Sequence, residues 1–290
     1  MNQEEKLFDM SPEEEFTDDR SRLRVFFQAL TGKFWRLITV NLVYLLFNIP
    51  AIVIMLVAAI YITEIIHPSP ANGALDPETL TYLYTQLGLP LAFILMAIPA
   101  ISVGPAQAGM TYLMRCFSYE IPTFTWADFR DKMKDNLKQG IIVCLINLII
   151  TAFFILDFYI YSRLDIRSDM VLTIAFGLLF MMFVLFLMMN FYIYPMMVTY
   201  ELKVRDLYKN AFLFSIAKFV PNLGILLLCL VLILAPIIIA QLTGNIIFMF
   251  VVYMYYFALG FTLPGLIINF CINPIIDKYI NPSSADDSAK

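Results

Sequence analysis

Charged residues are scarce in this sequence. They make up 14% of its 290 residues, while 61% are hydrophobic, and a soluble globular domain usually carries about 25% charged residues. Apart from their ends, the long apolar stretches contain no Lys or Arg, and no Asp or Glu lies clearly at the middle of one. This composition excludes an ordinary water-soluble domain, which would need charge to cover its core. It predicts a protein whose solvent is lipid.

Residues that carry catalysis or bind metals are also sparse. The single histidine, His67, stands just before Pro68 and Pro70 in a loop, and the four cysteines show no CxxC spacing. We interpret the cysteines as small core residues. The sequence contains no P-loop, GxSxG or HExxH motif, no pair of catalytic carboxylates and nothing that suggests nucleic-acid binding. We therefore expect a protein that is not an enzyme, binds no cofactor and has no nucleic-acid partner.

Six apolar stretches are each long enough to cross a bilayer, whose hydrocarbon core needs about 20 residues of helix. Backbone groups in lipid must be hydrogen-bonded within their own segment, and this requirement favours helices. We predict an all-α, polytopic transmembrane helical bundle with about six spans. The stretches run from Phe34 to Ile62, Leu87 to Leu113, Gly140 to Tyr161, Met170 to Val198, Phe219 to Leu242 and Ile246 to Phe270.

The distribution of Lys and Arg predicts the orientation of the spans. Of 19 such residues, only Arg163 and Arg167 fall in the first, third or fifth connection; the others lie in the two termini and in the second and fourth connections. Cytoplasmic segments carry the excess of Lys and Arg. Both termini are therefore predicted to be cytoplasmic, and the lipid bilayer is the first partner that the sequence implies.

Segments outside the spans have distinct compositions. Residues 1–20 are acidic and poor in apolar residues, so we predict a disordered cytoplasmic tail ahead of a transmembrane domain at 21–280. Residues 21–33 place apolar and basic side chains on different faces, which predicts an interfacial helix. Thr63 to Gln86 forms the longest predicted outer loop. Residues 281–290 are predicted to be a flexible cytoplasmic tail.

Two inner connections share a pattern and are predicted to be amphipathic helices near 125–138 and 201–216. Each contains RDxxK and runs into an outgoing span. The copies could mark a duplicated helix pair or a chance match. The polar faces could be solvated on the inner leaflet, or they could form a cytoplasmic docking face for a partner protein. The candidate docking residues are Arg130, Asp131, Lys134, Arg205, Asp206 and Lys209.

The stretch from Pro99 to Gly109, PAISVGPAQAG, is rich in residues that interrupt helices. Proline removes a backbone donor and clashes with the preceding turn. We predict a helix break around Gly104-Pro105 that faces other helices, either lining a cavity or forming a closely packed kink. The candidate residues are Pro99, Ser102, Gly104, Pro105 and Gln107. Asparagines within the spans could join helices or line a pathway.

Three stretches resemble a known family. Ile98 to Tyr112, IPAISVGPAQAGMTY, resembles the LPxxTIGPAxAAxYY signature of YesL-like bacterial membrane proteins. Trp126 to Gly140, WADFRDKMKDNLKQG, is similar to the FFRxFKxNFKQA segment that follows it, and Asn41 to Pro50, NLVYLLFNIP, resembles the family's opening helix. The resemblance implies a multi-pass protein of the bacterial cell membrane. It also implies a link to carbohydrate import, because such proteins are often encoded beside sugar-uptake ABC transporters.

The expected function is therefore transport-associated. The chain would be an accessory subunit of a sugar importer, in contact with ABC transporter components, or a small permease. A membrane sensor or regulator that reads an outer ligand, and a scaffold for other membrane proteins, are the alternatives.

Overall fold

The computed structural model describes residues 22–66, 97–162 and 170–280, together with isolated positions 79, 82, 86, 95 and 164. Within these residues the chain is all-helical, with ten helices and no strand. The helices are α1 (Arg22–Gly32), α2 (Phe34–Ile66), α3 (Ala100–Ser118), α4 (Thr125–Asp135), α5 (Leu137–Ser162), α6 (Met170–Thr199), α7 (Val204–Ala217), α8 (Phe219–Thr243), α9 (Ile246–Ala258) and α10 (Thr262–Ile280). The all-α prediction is confirmed.

Among the described residues, four helices are long and apolar enough to cross a membrane: α2, α5, α6 and α8. The α9 and α10 helices meet that test only as a pair, which is bent by 49° at a short break. The described part of the second predicted stretch is α3, and most of residues 87–96 lie outside the described residues. The structure thus supports four or five spans, and the count of six and the cytoplasmic termini stay predictions. The predicted tails at 1–20 and 281–290, and most of the Thr63–Gln86 loop, also lie outside the described residues.

Helices stand where amphipathic segments were predicted. The interfacial segment is α1, and the two inner connections contain α4 and α7. The first of them is shorter than predicted, because α4 ends at Asp135 and Leu137 already begins α5. Asn136 stands between the two helices, where its side-chain amide donates to the carbonyl of Lys132. The backbone N–H of Asn136 donates to the same carbonyl over 3.2 Å, so both groups of this residue bond the last turn of α4.

The α3 helix occupies the centre of the bundle. It contacts α2, α4, α5, α6 and α10, and most of its residues from Gly104 onward are buried. Small residues at Gly104, Ala106, Ala108 and Gly109 allow neighbouring helices to approach it closely. The stretch that carries the family-like motif therefore forms the core element of the fold.

Buried side chains gather in one half of the bundle, at the ends that the charge distribution predicts to face the cytoplasm; we call this half the inner half. In α6 the buried residues run from Phe186 to Met197, whereas Val171, Ile174 and Leu178 are exposed. The described outer part of α5 is likewise exposed at Phe153 and Leu156. The inner half is a packed core, and the outer half presents apolar side chains as a lipid-facing surface would.

Candidate functional site at the inner half of the bundle

The predicted break at Gly104-Pro105 is wrong in its position. Both residues lie inside α3, which is continuous from Ala100 to Ser118. The chain instead turns at Ile98 and Pro99, directly before the helix. Pro105 removes the hydrogen bond that would reach the carbonyl of Ile101, but one lost bond near a helix start is tolerated when neighbouring helices pack around it.

The same two residues do face other helices. A Cβ atom built on Gly104 would lie 2.1 Å from the carbonyl oxygen of Gly140 in α5. A Cβ on Gly140 would lie 2.9 Å from the nitrogen of Pro105. The backbones of α3 and α5 therefore touch at a point where neither helix has room for a side chain, and this contact leaves no space for a cavity there.

The remaining residues of the predicted segment surround this contact. Pro99 is buried, and Ser102 is half-buried with its hydroxyl 3.4 Å from the carbonyl oxygen of Pro99. Gln107 is half-buried one turn beyond Gly104. The five residues thus lie on one stretch of chain around a packing contact rather than around an opening.

Polar side chains of the apolar helices bond to one another. The Asn147 amide of α5 donates to Asn190 Oδ1 of α6 over 2.6 Å, and the Tyr208 hydroxyl of α7 donates to Asn147 Oδ1 over 2.8 Å. At the start of α8, Asn222 Oδ1 accepts from the Tyr192 hydroxyl over 2.8 Å. Such bonds join helices in membranes. For these asparagines the structure favours interhelical bonding over lining a pathway.

One carboxylate that the sequence reasoning missed joins three parts of the chain. Asp277 of α10 accepts from the Arg115 guanidinium of α3 over 3.2 Å, from the Tyr119 hydroxyl over 2.5 Å and from the Tyr200 hydroxyl over 2.7 Å. Burial, with the neighbouring Asp277, raises the pKa of Tyr200, so this hydroxyl keeps its proton and remains a donor. The only sequence signal was an acidic residue seven positions after Phe270, where the last predicted apolar stretch ends.

The candidate docking residues lie on α4 and α7. Each helix buries an apolar side chain in the bundle, Phe129 on α4 and Leu207 on α7, and packs on the helix that precedes it, α3 or α6. Phe129 lies so close to α3 that a Cβ on Gly109 would be 2.7 Å from its carbonyl oxygen. The two RDxxK copies thus occupy similar settings, which agrees with a duplicated helix pair.

The charged faces of these helices point away from the core. Arg130, Asp131, Lys134, Arg205 and Lys209 are exposed, and Asp206 is half-buried. Asp131 pairs with its neighbour Arg130, Nε to Oδ1 over 3.1 Å, and not with Lys134 as the RDxxK spacing permits. The structure brings three of the residues together on α4 and the other three on α7. Whether the two sets act as one face stays a prediction.

No group of three or more metal-ligating side chains occurs among the described residues. An apolar groove of about 510 Å³ lies between the α1–α2 joint and the α9–α10 bend. Its lining offers hydrocarbon and the Thr31 hydroxyl, which already donates to the carbonyl of Phe27 over 2.8 Å. This groove is suited to contact with apolar groups rather than to catalysis.

These features define a class: a helical protein with four or five candidate membrane spans and a packed inner half. A family model described as a protein of unknown function, DUF624, matches residues 83–158, which include α3, α4 and most of α5. The match is consistent with the resemblance to YesL-like proteins. No curated protein and no solved structure gives a significant match to the chain.

Proposed function

We propose that the chain is a multi-pass protein of the bacterial cell membrane, with six spans and both termini in the cytoplasm, that acts as an accessory subunit of a sugar importer. The partner would dock on the cations of α4 and α7. The link to sugar import comes from the family resemblance, and the docking surface comes from the geometry of the inner half.

The exposed cations on two anchored helices carry this proposal. The α4 and α7 helices are fixed to the bundle by buried apolar side chains, so their charged faces have defined positions. Exposed ion pairs contribute only about 0–1 kcal/mol to stability, and folding therefore does not require these charges. A partner with an acidic surface would use them for orientation and for faster association.

The packing of the inner half favours an accessory subunit over a permease. A permease needs a polar route across the bundle, but Asn147, Asn190 and Asn222 are hydrogen-bonded to other side chains or backbone groups of the chain. The backbone contact between Gly104 and Gly140 also closes the space between α3 and α5. The purified protein alone should therefore not move sugars into liposomes, and saturable uptake by it would favour the permease.

A charge-reversal experiment tests the docking face. In affinity purification from native membranes, Arg130→Glu with Arg205→Glu should remove ATP-binding transporter subunits from the co-purified proteins. Arg24→Glu is the matched control, because Arg24 is an exposed cation on a different helix, α1. Retention of the subunits by the double variant would contradict the proposal. If the face lies on lipid only, the double variant would instead lose affinity for anionic liposomes, by about 1 kcal/mol per charge, without releasing any protein.

A further inference from the structure

The α8 and α9 helices form a helical hairpin on the outer side that buries few of its side chains in the bundle. Gly244, with φ of 58°, ends α8 in a left-handed conformation, and Asn245 caps α9 by accepting from the N–H of Ile247 over 2.9 Å. We call residues 237–258 the outer hairpin. No side chain of α9 is buried, and Ala240 is the only buried residue of α8 beyond Cys229. The outer hairpin therefore packs on itself and, through α9, on α2, with almost no fully buried side chain.

A break separates the hairpin from α10. The chain turns at residues 259–261, and Gly260 lies so close to Tyr256 that a Cβ would be 2.7 Å from the Tyr256 Cα atom. Pro264 follows and has no N–H to donate to the carbonyl of Gly260. A break of this kind leaves carbonyls free at the end of α9 and N–H groups free at the start of α10. In lipid such groups are unfavourable unless another group of the protein bonds them.

One side chain from α2 bonds both sides of this break. The Asn41 amide donates to the carbonyls of Tyr256 and Phe257 over 3.0 and 2.7 Å. Its Oδ1 accepts from the N–H groups of Phe261 and Thr262 over 3.1 and 3.2 Å. Asn41 has no exposed surface. Its four hydrogen bonds fix the angle between α9 and α10.

The other end of the hairpin is attached in a similar way. Pro236 lacks the N–H that would bond the carbonyl of Leu232, four residues earlier in α8. The Tyr255 hydroxyl of α9 donates to that carbonyl over 3.2 Å, and the Tyr256 hydroxyl donates to the next carbonyl, that of Ile233. The side-chain hydrogen bonds that tie α9 to other helices thus all lie at the hairpin base, among the described residues.

We propose that the outer hairpin pivots as one body about Pro236 and Gly260. The hydrogen bonds of the Asn41 and Tyr255 side chains hold it in the observed position. Helices kink at proline and at interruptions of their hydrogen-bond ladder, and few buried contacts oppose such a motion. This motion of the outer hairpin does not depend on the docking face on α4 and α7.

Distance measurement by pulsed electron paramagnetic resonance tests the pivot. Spin labels are placed at Leu242, near the hairpin tip, and at Ile174 of α6, both exposed. The full chain, with its four native cysteines replaced, is studied in lipid nanodiscs. The parent protein should give one distance peak, and Asn41→Leu should add a second, displaced peak.

Asn48→Leu is the matched control. Asn48 is also buried on α2, but its amide donates only to the carbonyl of Tyr44 in its own helix, and its Oδ1 has no partner. This variant should keep the parent distribution. An unchanged distribution in Asn41→Leu, or the same change in Asn48→Leu, would overturn the proposal.

If Asn41→Leu does not fold, the Tyr255→Phe variant tests the pivot instead. It removes one hydroxyl and keeps the ring, so the hairpin should gain a smaller displaced population. A Tyr255→Phe distribution identical to that of the parent would overturn the pivot.

Discussion

Replacing Gly104 by alanine should force α3 and α5 apart at their closest point. The added Cβ would lie 2.1 Å from the Gly140 carbonyl oxygen and 2.6 Å from its carbonyl carbon. Non-bonded carbon atoms prefer a separation of about 3.5–4.0 Å, so the two backbones must move by about 1 Å or more. No rotamer change can relieve this contact, because backbone atoms lie on both sides.

The magnitude follows from two opposing terms. Overpacking of a close contact costs about 1–3 kcal/mol, and replacing glycine by alanine in a helix gains up to about 1 kcal/mol. Subtracting the full helix gain leaves a loss of about 0–2 kcal/mol of stability, the upper half of that range applying if the backbones resist separation. Thermal unfolding in a single detergent, followed by fluorescence, measures the change.

Gly177→Ala supplies the matched control. Gly177 also lies inside a helix, α6, but a Cβ there meets nothing within 4 Å. This variant should be neutral or more stable by about 0.5–1 kcal/mol, through reduced backbone entropy of the unfolded chain. If Gly104→Ala unfolds at the same temperature as Gly177→Ala, the backbone contact between α3 and α5 is not formed and the reasoning fails.

Three further predictions concern polar contacts and orientation. Asp277→Asn should lower stability by about 1–3 kcal/mol in thermal unfolding, because it leaves the Arg115 guanidinium half-buried without its counter-charge; an unchanged unfolding temperature would contradict the role given to this carboxylate. Asn190→Leu should cost about 0.6–2 kcal/mol in the same assay through its bond to Asn147, and a gain in stability would argue against interhelical bonding. Single cysteines at Ser69 and Ser283, in a cysteine-free background, should be labelled from opposite sides of the membrane, and same-side labelling would refute the orientation inferred from charge.

Helix positions followed closely from local sequence patterns. The apolar stretch from Met170 to Val198 is α6, and the one from Phe219 to Leu242 is α8, each to within one residue. The amphipathic inner segments are α4 and α7. These elements were predictable because composition and helical periodicity are read along the chain and need no knowledge of neighbours.

The interruptions were harder to place. Proline and glycine content predicted a break at Gly104-Pro105, yet α3 is continuous there, while the chain breaks at Gly260, ahead of Pro264. Both places contain the residues that permit a break. The difference lies in the surroundings, because α5 packs against Gly104 and the Asn41 side chain stabilises the ends exposed at Gly260.

The sequence by itself determined that this protein is helical and apolar. Those properties follow from the solvent, since lipid requires each spanning segment to satisfy its own backbone groups. Only the tertiary structure decided which polar side chains meet. Asn41 and Thr262 are 221 residues apart in the chain, and Arg115 and Asp277 are 162 apart. A hydrogen bond depends on atoms within about 3 Å in space, and no spacing along the chain encodes that distance.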